Sequence, residues 1–344
     1  MPTLALHPGS LIFATGVNGL VGSHVADQLL ARGYHVRGAV RDVEKSAWLS
    51  VYFADKHKDA KFEMVSVPDM TVEGCYDEVV KGVDGFIHIA SPLGGQDASE
   101  MIPTGVKGGL NAVKAAANEP KVKRFVFTSS SIASYMPTPG VEFEVDENSW
   151  NEEGIRKGWN HPEGEEEIYK GIYVYAATKT ETEKAMWKWV GEEKPGFVFN
   201  SVLPSGNFGK VLVPENQGTP SSIQWVHWAF TGQNFDMLVK VVDSLWYIDN
   251  ADDAVIHVAA LIYDDVKNER IFAFAEPFDW NQILNIYRKL YPDRKFVDDV
   301  EGLKVDKCKV PNQRALELLK RVKGSGWTGL EESLKEMCEQ FKFD

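Results

Sequence analysis

Cysteine is scarce in this chain. Cys75, Cys308 and Cys338 stand far apart, and three is an odd number, so no disulfide framework is expected and no zinc-ligand spacing is present. The histidines form no metal spacing either: His88 sits within an apolar strand pattern and His257 within a helical one, positions that suit structural histidines, so no metal is expected. No apolar run approaches the ~18 residues a membrane span needs. The opening MPTLALHPGSLIFATG has no basic n-region and no A-x-A-like cleavage site, so no secretion signal is read. Net positive charge is missing as well. A formal charge of −13 repels phosphate backbones, whereas nucleic-acid binders carry a basic face. Internal repeats and low-complexity tracts are absent. These gaps leave a soluble cytoplasmic protein, monomer or homodimer, with a small molecule as its partner rather than nucleic acid or membrane.

What is present is an ordinary globular composition, 44% hydrophobic and 25% charged over 344 residues, enough for a large α/β core with a smaller lobe. Short apolar runs alternate with amphipathic stretches: LIFA, a helical pattern over Leu20 to Ala31, YHVRGAV, and a helical stretch from Glu44. The rhythm continues through KFEMVSV, a helix near Tyr76 to Lys81, GFIHIA, a helix from Gly105 to Ala117, RFVFTS, a helix over Tyr175 to Val190, and FVFNSVL. Runs this short and apolar are buried parallel strands. The fold class predicted is α/β, a Rossmann-type doubly wound parallel sheet with a smaller C-terminal substrate-binding lobe. Residues 1–204 form the dinucleotide domain, to which 249–275 returns with a helix (Asp252 to Ile262) and the strand IFAFA; residues 205–248 and 276–344 form the lobe. Between Ser131 and about Gly171 lies a Pro, Gly and Glu-rich stretch too long for a simple turn. Two readings stand for it, a substrate-facing loop and a solvated acidic insert.

Directly after the first strand comes Thr15-Gly16-Val17-Asn18-Gly19-Leu20-Val21-Gly22, a G-x-x-G-x-x-G at the start of a helix. Glycine lets the backbone approach a pyrophosphate without a Cβ clash, and the helix N-terminus attracts the negative charge. Strand, motif and helix in that order lift the match above a chance spacing that serves only a tight turn. Thr15, Gly16, Asn18, Gly19, Leu20, Val21 and Gly22 are the candidate cradle. NAD selectivity normally comes from an acid closing the second strand, but YHVRGAV ends in Arg41, with Lys45 a helical turn on. Two cations there suit a 2′-phosphate, so NADPH is the expected cofactor. Asp42, next to Arg41, offers the alternative of facing the ribose.

Tyr175 and Lys179, in YAATK, lie four residues apart and so share a helical face. Free tyrosine has a pKa of ~10, and a nearby ammonium makes it a usable proton donor at neutral pH. The spacing alone is weak, because Tyr52 with Lys56, Tyr263 with Lys267 and Tyr291 with Lys295 repeat it. Only Tyr175 follows a strand that ends in Thr128-Ser129-Ser130, and strand C-termini are where ligands sit in open α/β sheets. A hydroxyl there can bond the substrate oxygen. Ser130 takes that role by its place in the motif, chemistry alone not separating it from Ser129 and Ser131, for which local backbone capping is the plainer reading.

TGVNGLVGSH, FVFTSSSIAS, DENSW and YAATK, in this order, resemble the extended short-chain dehydrogenases. Within them the chain is similar to the yeast and fungal NADPH-dependent aldehyde and carbonyl reductases and to the plant dihydroflavonol reductases. The resemblance covers nearly the whole length, and FDWNQILNIYRKLYP looks like the fungal branch. It implies a Ser130, Tyr175 and Lys179 triad, hydride passing from the nicotinamide to a carbonyl carbon, and Lys179 on the nicotinamide ribose. It further implies Asp69 and Met70 near adenine, Ala90, Ser91, Thr128 and Ser129 along the cofactor, and Pro204, Ser205 and Asn207 near the carboxamide. Pro92, Ser130, Ile132, Tyr175, Gly206, Trp225 and Trp228 would face substrate, although aromatics spaced like Trp225, His227, Trp228 and Phe230 are more often core than pocket. Asn111 matches a family asparagine supporting a proton-relay water, or else bonds backbone from its helix. YVYAATK lacks the longer tyrosine motif of cinnamoyl-CoA reductases, which argues against CoA thioesters. Asp252 reads as a helix cap.

The function expected is NADPH-dependent reduction of small or aromatic aldehydes, ketones and keto esters to alcohols. The rivals are an NAD-dependent nucleotide-sugar epimerase or dehydratase on the same scaffold, and an NADP-sensing binding protein without turnover. Arg41 and DENSW argue against the first, and an intact Ser, Tyr and Lys set against the second.

Overall fold

The computed structural model describes residues 3–59 and 61–341. The chain opens with β1 (Leu11–Thr15), α1 (Leu20–Leu30), β2 (His35–Val40), α2 (Ala47–Lys56), β3 (Phe62–Ser66), β4 (Gly85–His88), α3 (Ala98–Asn118) and β5 (Arg124–Thr128). It continues with α4 (Glu152–Trp159), α5 (Lys170–Glu193), β6 (Val198–Pro204), β7 (Gly206–Phe208), α6 (Pro214–Gln217), α7 (Ile223–Thr231), α8 (Phe235–Val241) and β8 (Ser244–Asp249). The remainder is α9 (Asn250–Ile262), β9 (Arg270–Ala273), β10 (Glu276–Asp279), α10 (Trp280–Leu290), α11 (Gln313–Lys323) and α12 (Leu330–Phe341).

Seven strands pair in parallel in the order β3-β2-β1-β4-β5-β6-β9. GFIH and RFVFT are buried at every position, as central parallel strands must be when helices cover both faces. Val25, Leu29, Val258, Leu261 and Leu318 pack on one face, from α1, α9 and α11; Ala112, Val113, Ala116 and Met186 pack on the other, from α3 and α5. The strand order reverses between β1 and β4, so a crevice opens at their C-terminal ends, the usual ligand position in such sheets. A small sheet, β10-β8-β7, carries a second core, including Phe208, Tyr247, Phe278, Trp280 and Tyr287, that joins α7, α10 and α12.

The sheet and the order of elements match the expected doubly wound class, while several local expectations are corrected. Around Tyr76 to Lys81 no regular helix forms; the segment is a run of turns closed by Asp77 N–H to Gly74 O (3.0 Å) and Val80 N–H to Tyr76 O (3.0 Å). Helix α3 begins seven residues before Gly105, at Ala98, because Asp97 accepts the Ser99 N–H and caps it, and Pro103 is carried inside. The acidic stretch contains α4, whose Asn151 cap accepts the Gly154 N–H. The cap of α9 is Asp249, bonding the Ala251 and Asp252 N–H groups, not Asp252, which pairs with Lys323 (2.7 Å) and accepts the Thr328 N–H. Helix α11 was expected in the small lobe with everything after 276, yet Ala315, Leu318 and Leu319 lie in the core of the large sheet. Buried Arg124 on β5 donates to the carbonyls of Ala260, Leu261, Tyr263 and Val266. A cation thus takes the free carbonyls at the end of α9 and fixes β5 against it.

Candidate active site

A cavity of about 900 Å³ runs along the crevice from the end of β2, past β1 and β4, to the β5 and β6 termini and the small lobe. Its floor is the glycine loop. Gly16 adopts φ +69°, and a Cβ on Gly22 would stand 2.1 Å from the Gly16 carbonyl oxygen, so neither position admits a side chain. Gly19, the N-cap of α1, offers no side-chain cap, leaving first-turn N–H groups for an anion. The Thr15 hydroxyl accepts the N–H groups of Ile89 (2.9 Å) and Ala90 (3.0 Å) and lies 3.0 Å from His88 Nδ1. With both lone pairs taken, its hydrogen goes to Nδ1, leaving the ring proton on Nε2. Burial pushes His88 down to about 3, a neutral structural histidine tying β4 to the loop. His257 is structural in the same way, between the Thr128 hydroxyl (2.9 Å) and the Asp253 carbonyl (2.9 Å).

Arg41 lines the cavity just past β2, and among the described residues its guanidinium has no carboxylate or carbonyl partner. Asp42 faces away: it accepts the Lys45 backbone N–H (3.1 Å), which holds its carboxyl below the usual range, with the Lys45 ammonium 3.6 Å off. Lys45 itself is highly exposed and does not line the cavity, so one cation, not the expected pair, faces the ligand. Asp69 and Met70 do line it. Asp69 accepts the Thr71 N–H (2.8 Å) and hydroxyl (2.7 Å), and Asn111 donates to the carbonyls of Met70 (2.9 Å) and Val72 (3.1 Å). Asn111 thus follows its backbone-bonding reading.

At the far end, Ser130, Tyr175 and Lys179 converge on the cavity, while the other three Tyr-x-x-x-Lys pairs lie outside it. Burial raises the Tyr175 phenol and the Ser130 hydrogen bond partly offsets this. Burial also drives Lys179 down to about 8, against the pull of Glu183. The Lys179 ammonium donates to the Thr128 carbonyl (3.1 Å) and lies 5.6 Å from the Phe127 ring centre. Ser129 does not cap backbone as expected; its hydroxyl donates to the Glu183 carboxylate (2.6 Å). Ala90, Ser91, Pro204, Ser205 and Asn207 line the stretch between the two ends. Ser205 Oγ and Asn207 Oδ1 are buried with no partner among the described residues, and unpaired polar atoms in a cavity wall call for a polar ligand. These orphans, the free guanidinium and the glycine floor fit an extended phosphorylated dinucleotide.

The substrate wall is mainly apolar: Pro92, Leu93, Ile132, Met136, Trp225 and Leu245, with Gly206 in the same lining. Trp225 enters the cavity; Trp228, expected beside it, packs on the second core instead. Met136 and Pro137 at one end and Tyr169 at the other show that both ends of the 132–171 stretch face the cavity, as does Ile172 of α5, whereas α4 packs against α5 outside it. Sequence reasoning missed these, although Ile172 lies one helical turn before Tyr175. Lys240 and Asp243 also line the wall. Lys240 is held by Glu166 (2.5 Å), and burial raises the Asp243 carboxyl.

The model of the NAD dependent epimerase/dehydratase family matches residues 12–237. The chain belongs to that family. Among its relatives is aldehyde reductase 2 of Sporidiobolus salmonicolor, 40% identical over 334 residues covering 96% of each chain. Another is the NAD-dependent epimerase/dehydratase terH of Aspergillus terreus, 37% identical, covering 96% of this chain and 97% of that one. In fold, the family member resembles yeast methylglyoxal/isovaleraldehyde reductase Gre2, crystallised with NADPH, at TM-score 0.81, with 23% identity over 97% of this chain and 98% of that one. No helix among the described residues is long and apolar enough to cross a membrane.

Proposed function

We propose that this chain reduces aldehydes or ketones to alcohols with NADPH. The observation that carries the reading is the convergence of Ser130, Tyr175 and Lys179 on the same cavity as the glycine loop and Arg41, whose guanidinium has no partner among the described residues. The aldehyde reductase relative at 40% identity supports it. When bound, NADPH supplies the hydride that goes to the carbonyl carbon. The α1 N-terminus and glycine loop would hold the pyrophosphate, Arg41 the 2′-phosphate, and Ser205 with Asn207 the carboxamide. Tyr175 gives its phenolic proton to the carbonyl oxygen, completing C=O to CH–OH and leaving a phenolate. Ser130 bonds that oxygen and orients it toward the phenol. The Lys179 ammonium, fixed by the Thr128 carbonyl, stabilises the phenolate until solvent returns the proton.

The substrate wall favours a carbonyl compound with an apolar, flat or branched body. A sugar diphosphate would require free cations there, and Lys240 is already paired with Glu166. The three cysteines are free, and a cytoplasmic setting suits them. The test is NADPH absorbance loss, with NADH in parallel, against aldehydes, α-dicarbonyls and β-keto esters. NADPH-preferring turnover is expected. Binding without turnover on every compound would favour the sensor or the epimerase.

A further inference from the structure

Four residues beyond Lys179 on the same face of α5, Glu183 is fully buried. Its carboxylate accepts the hydroxyls of Ser129 (2.6 Å) and Ser201 (2.6 Å) and the Trp187 Nε1–H (3.3 Å). It pairs with Arg270 of β9 at 2.9 Å from Nε and 3.2 Å from Nη2. Arg270 Nη1 donates to the carbonyls of Glu147 (2.9 Å) and Ser149 (2.7 Å), and the guanidinium lies 3.8 Å from the centre of the Trp150 ring. One carboxylate therefore joins the end of β5, β6, β9, α5 and the Glu147 to Trp150 stretch. Taking such a pair out of water is costly, and apolar residues of equal volume often hold elements together as well, so packing alone is a poor account of it.

We propose that the Glu183–Arg270 pair is a positioning element for carbonyl reduction: Glu183 holds the Ser129 hydroxyl, and with it the turn that presents Ser130, and sets one negative charge a helical turn from the Lys179 ammonium. The inference rests on the reductase reading above. The groups around Lys179 are few. Tyr175 and Glu183 come from its own helix, His88 from β4, the Thr128 carbonyl and Phe127 ring from β5, and Arg270 stands behind the carboxylate. His257, from α9, meets the Thr128 hydroxyl with Nε2, and its Nδ1 faces Asp253 of its own helix (3.2 Å from the carboxylate). Helix α3 meets α5 through Gly105 and Gly109 against Thr178, Thr182 and Met186, and α4 through Gly154 and Gly158 against Ala176 and Ala177; the charges α4 brings to α5 are Glu152, in an exposed pair with Lys184, and Lys157, which donates to the Tyr173 hydroxyl (3.3 Å). Glu183 thus opposes the burial that drives Lys179 down. With Glu183 uncharged, the ammonium is lost at lower pH; with Arg270 uncharged, at higher pH.

The test is kcat against pH for wild type, Glu183→Gln, Arg270→Met and Ser129→Ala, with folding checked by circular dichroism and NADPH affinity by fluorescence. Glu183→Gln is expected to lower kcat about tenfold with NADPH affinity retained, and to move the alkaline limb down by about half a unit. Arg270→Met should move that limb up. Ser129→Ala changes no charge and should lower kcat several-fold with the limb in place. A limb that stays put in a folded charge variant overturns the proposal. Should neither charge variant fold, Ser129→Ala decides alone, and wild-type kcat in it overturns the proposal. A wild-type protein that reduces no carbonyl would instead remove the reading beneath it.

Discussion

The two ends of the cavity are made of different material. At the nucleotide end the wall is largely main chain: a glycine floor in which a Cβ on Gly22 would strike the Gly16 carbonyl, an uncapped helix start, and Arg41. At the substrate end it is side chain, with Trp225, Ile132, Met136, Pro92 and Leu245 drawn from four separate segments. A main-chain wall tolerates little variation and holds one ligand shape, whereas a side-chain wall can be changed without disturbing the sheet. Tyr175, Lys179 and Ser130 stand where the two meet.

Perturbing the junction should have the largest effect. Tyr175→Phe removes the proton donor and nothing that binds the dinucleotide, so kcat should fall by about 10²- to 10⁴-fold while NADPH affinity, read by fluorescence titration, stays within about twofold; near-wild-type turnover would end the proposed chemistry. At the nucleotide end, Arg41→Ala should weaken NADPH by about ten- to a hundredfold, the worth of a charge-assisted hydrogen bond, and leave NADH nearly unaffected. Equal losses for both cofactors would mean that the guanidinium does not read the 2′-phosphate. The substrate end should give the smallest change. Trp225→Ala should raise KM for an aromatic aldehyde several-fold at constant NADPH affinity, and more than Trp228→Ala does; the reverse order would put the wrong tryptophan in the wall.

The same contrast explains what was legible in the sequence. The glycine loop was readable because its constraint is local: strand, glycines and helix are consecutive in the chain. Tyr175 and Lys179 were readable because four residues make one helical turn, with the TSS strand end choosing among four equivalent spacings. Glu183 continues that spacing by one further turn, a signal that was available, but its partners Ser129 and Arg270 lie 54 and 87 residues away and only the fold joins them. Lys45 and Trp228 were misplaced because proximity in sequence does not fix direction: Asp42 turns Lys45 outward, and Trp228 packs on the second core one helical turn after Trp225. The helix expected near Tyr76 became turns, and α3 ran through Pro103, because tertiary packing and the Asp97 cap outweighed local propensity.

The central claim is net hydride transfer to a carbonyl substrate, and deuterium tests it most directly. With NADPH deuterated at the transferred position and an aldehyde the protein accepts, mass spectrometry of the alcohol should show one deuterium on the former carbonyl carbon, formed in step with NADPH loss. An alcohol without the label, or label that enters a nucleotide sugar and returns to the cofactor with no net NADPH consumption, would contradict the account.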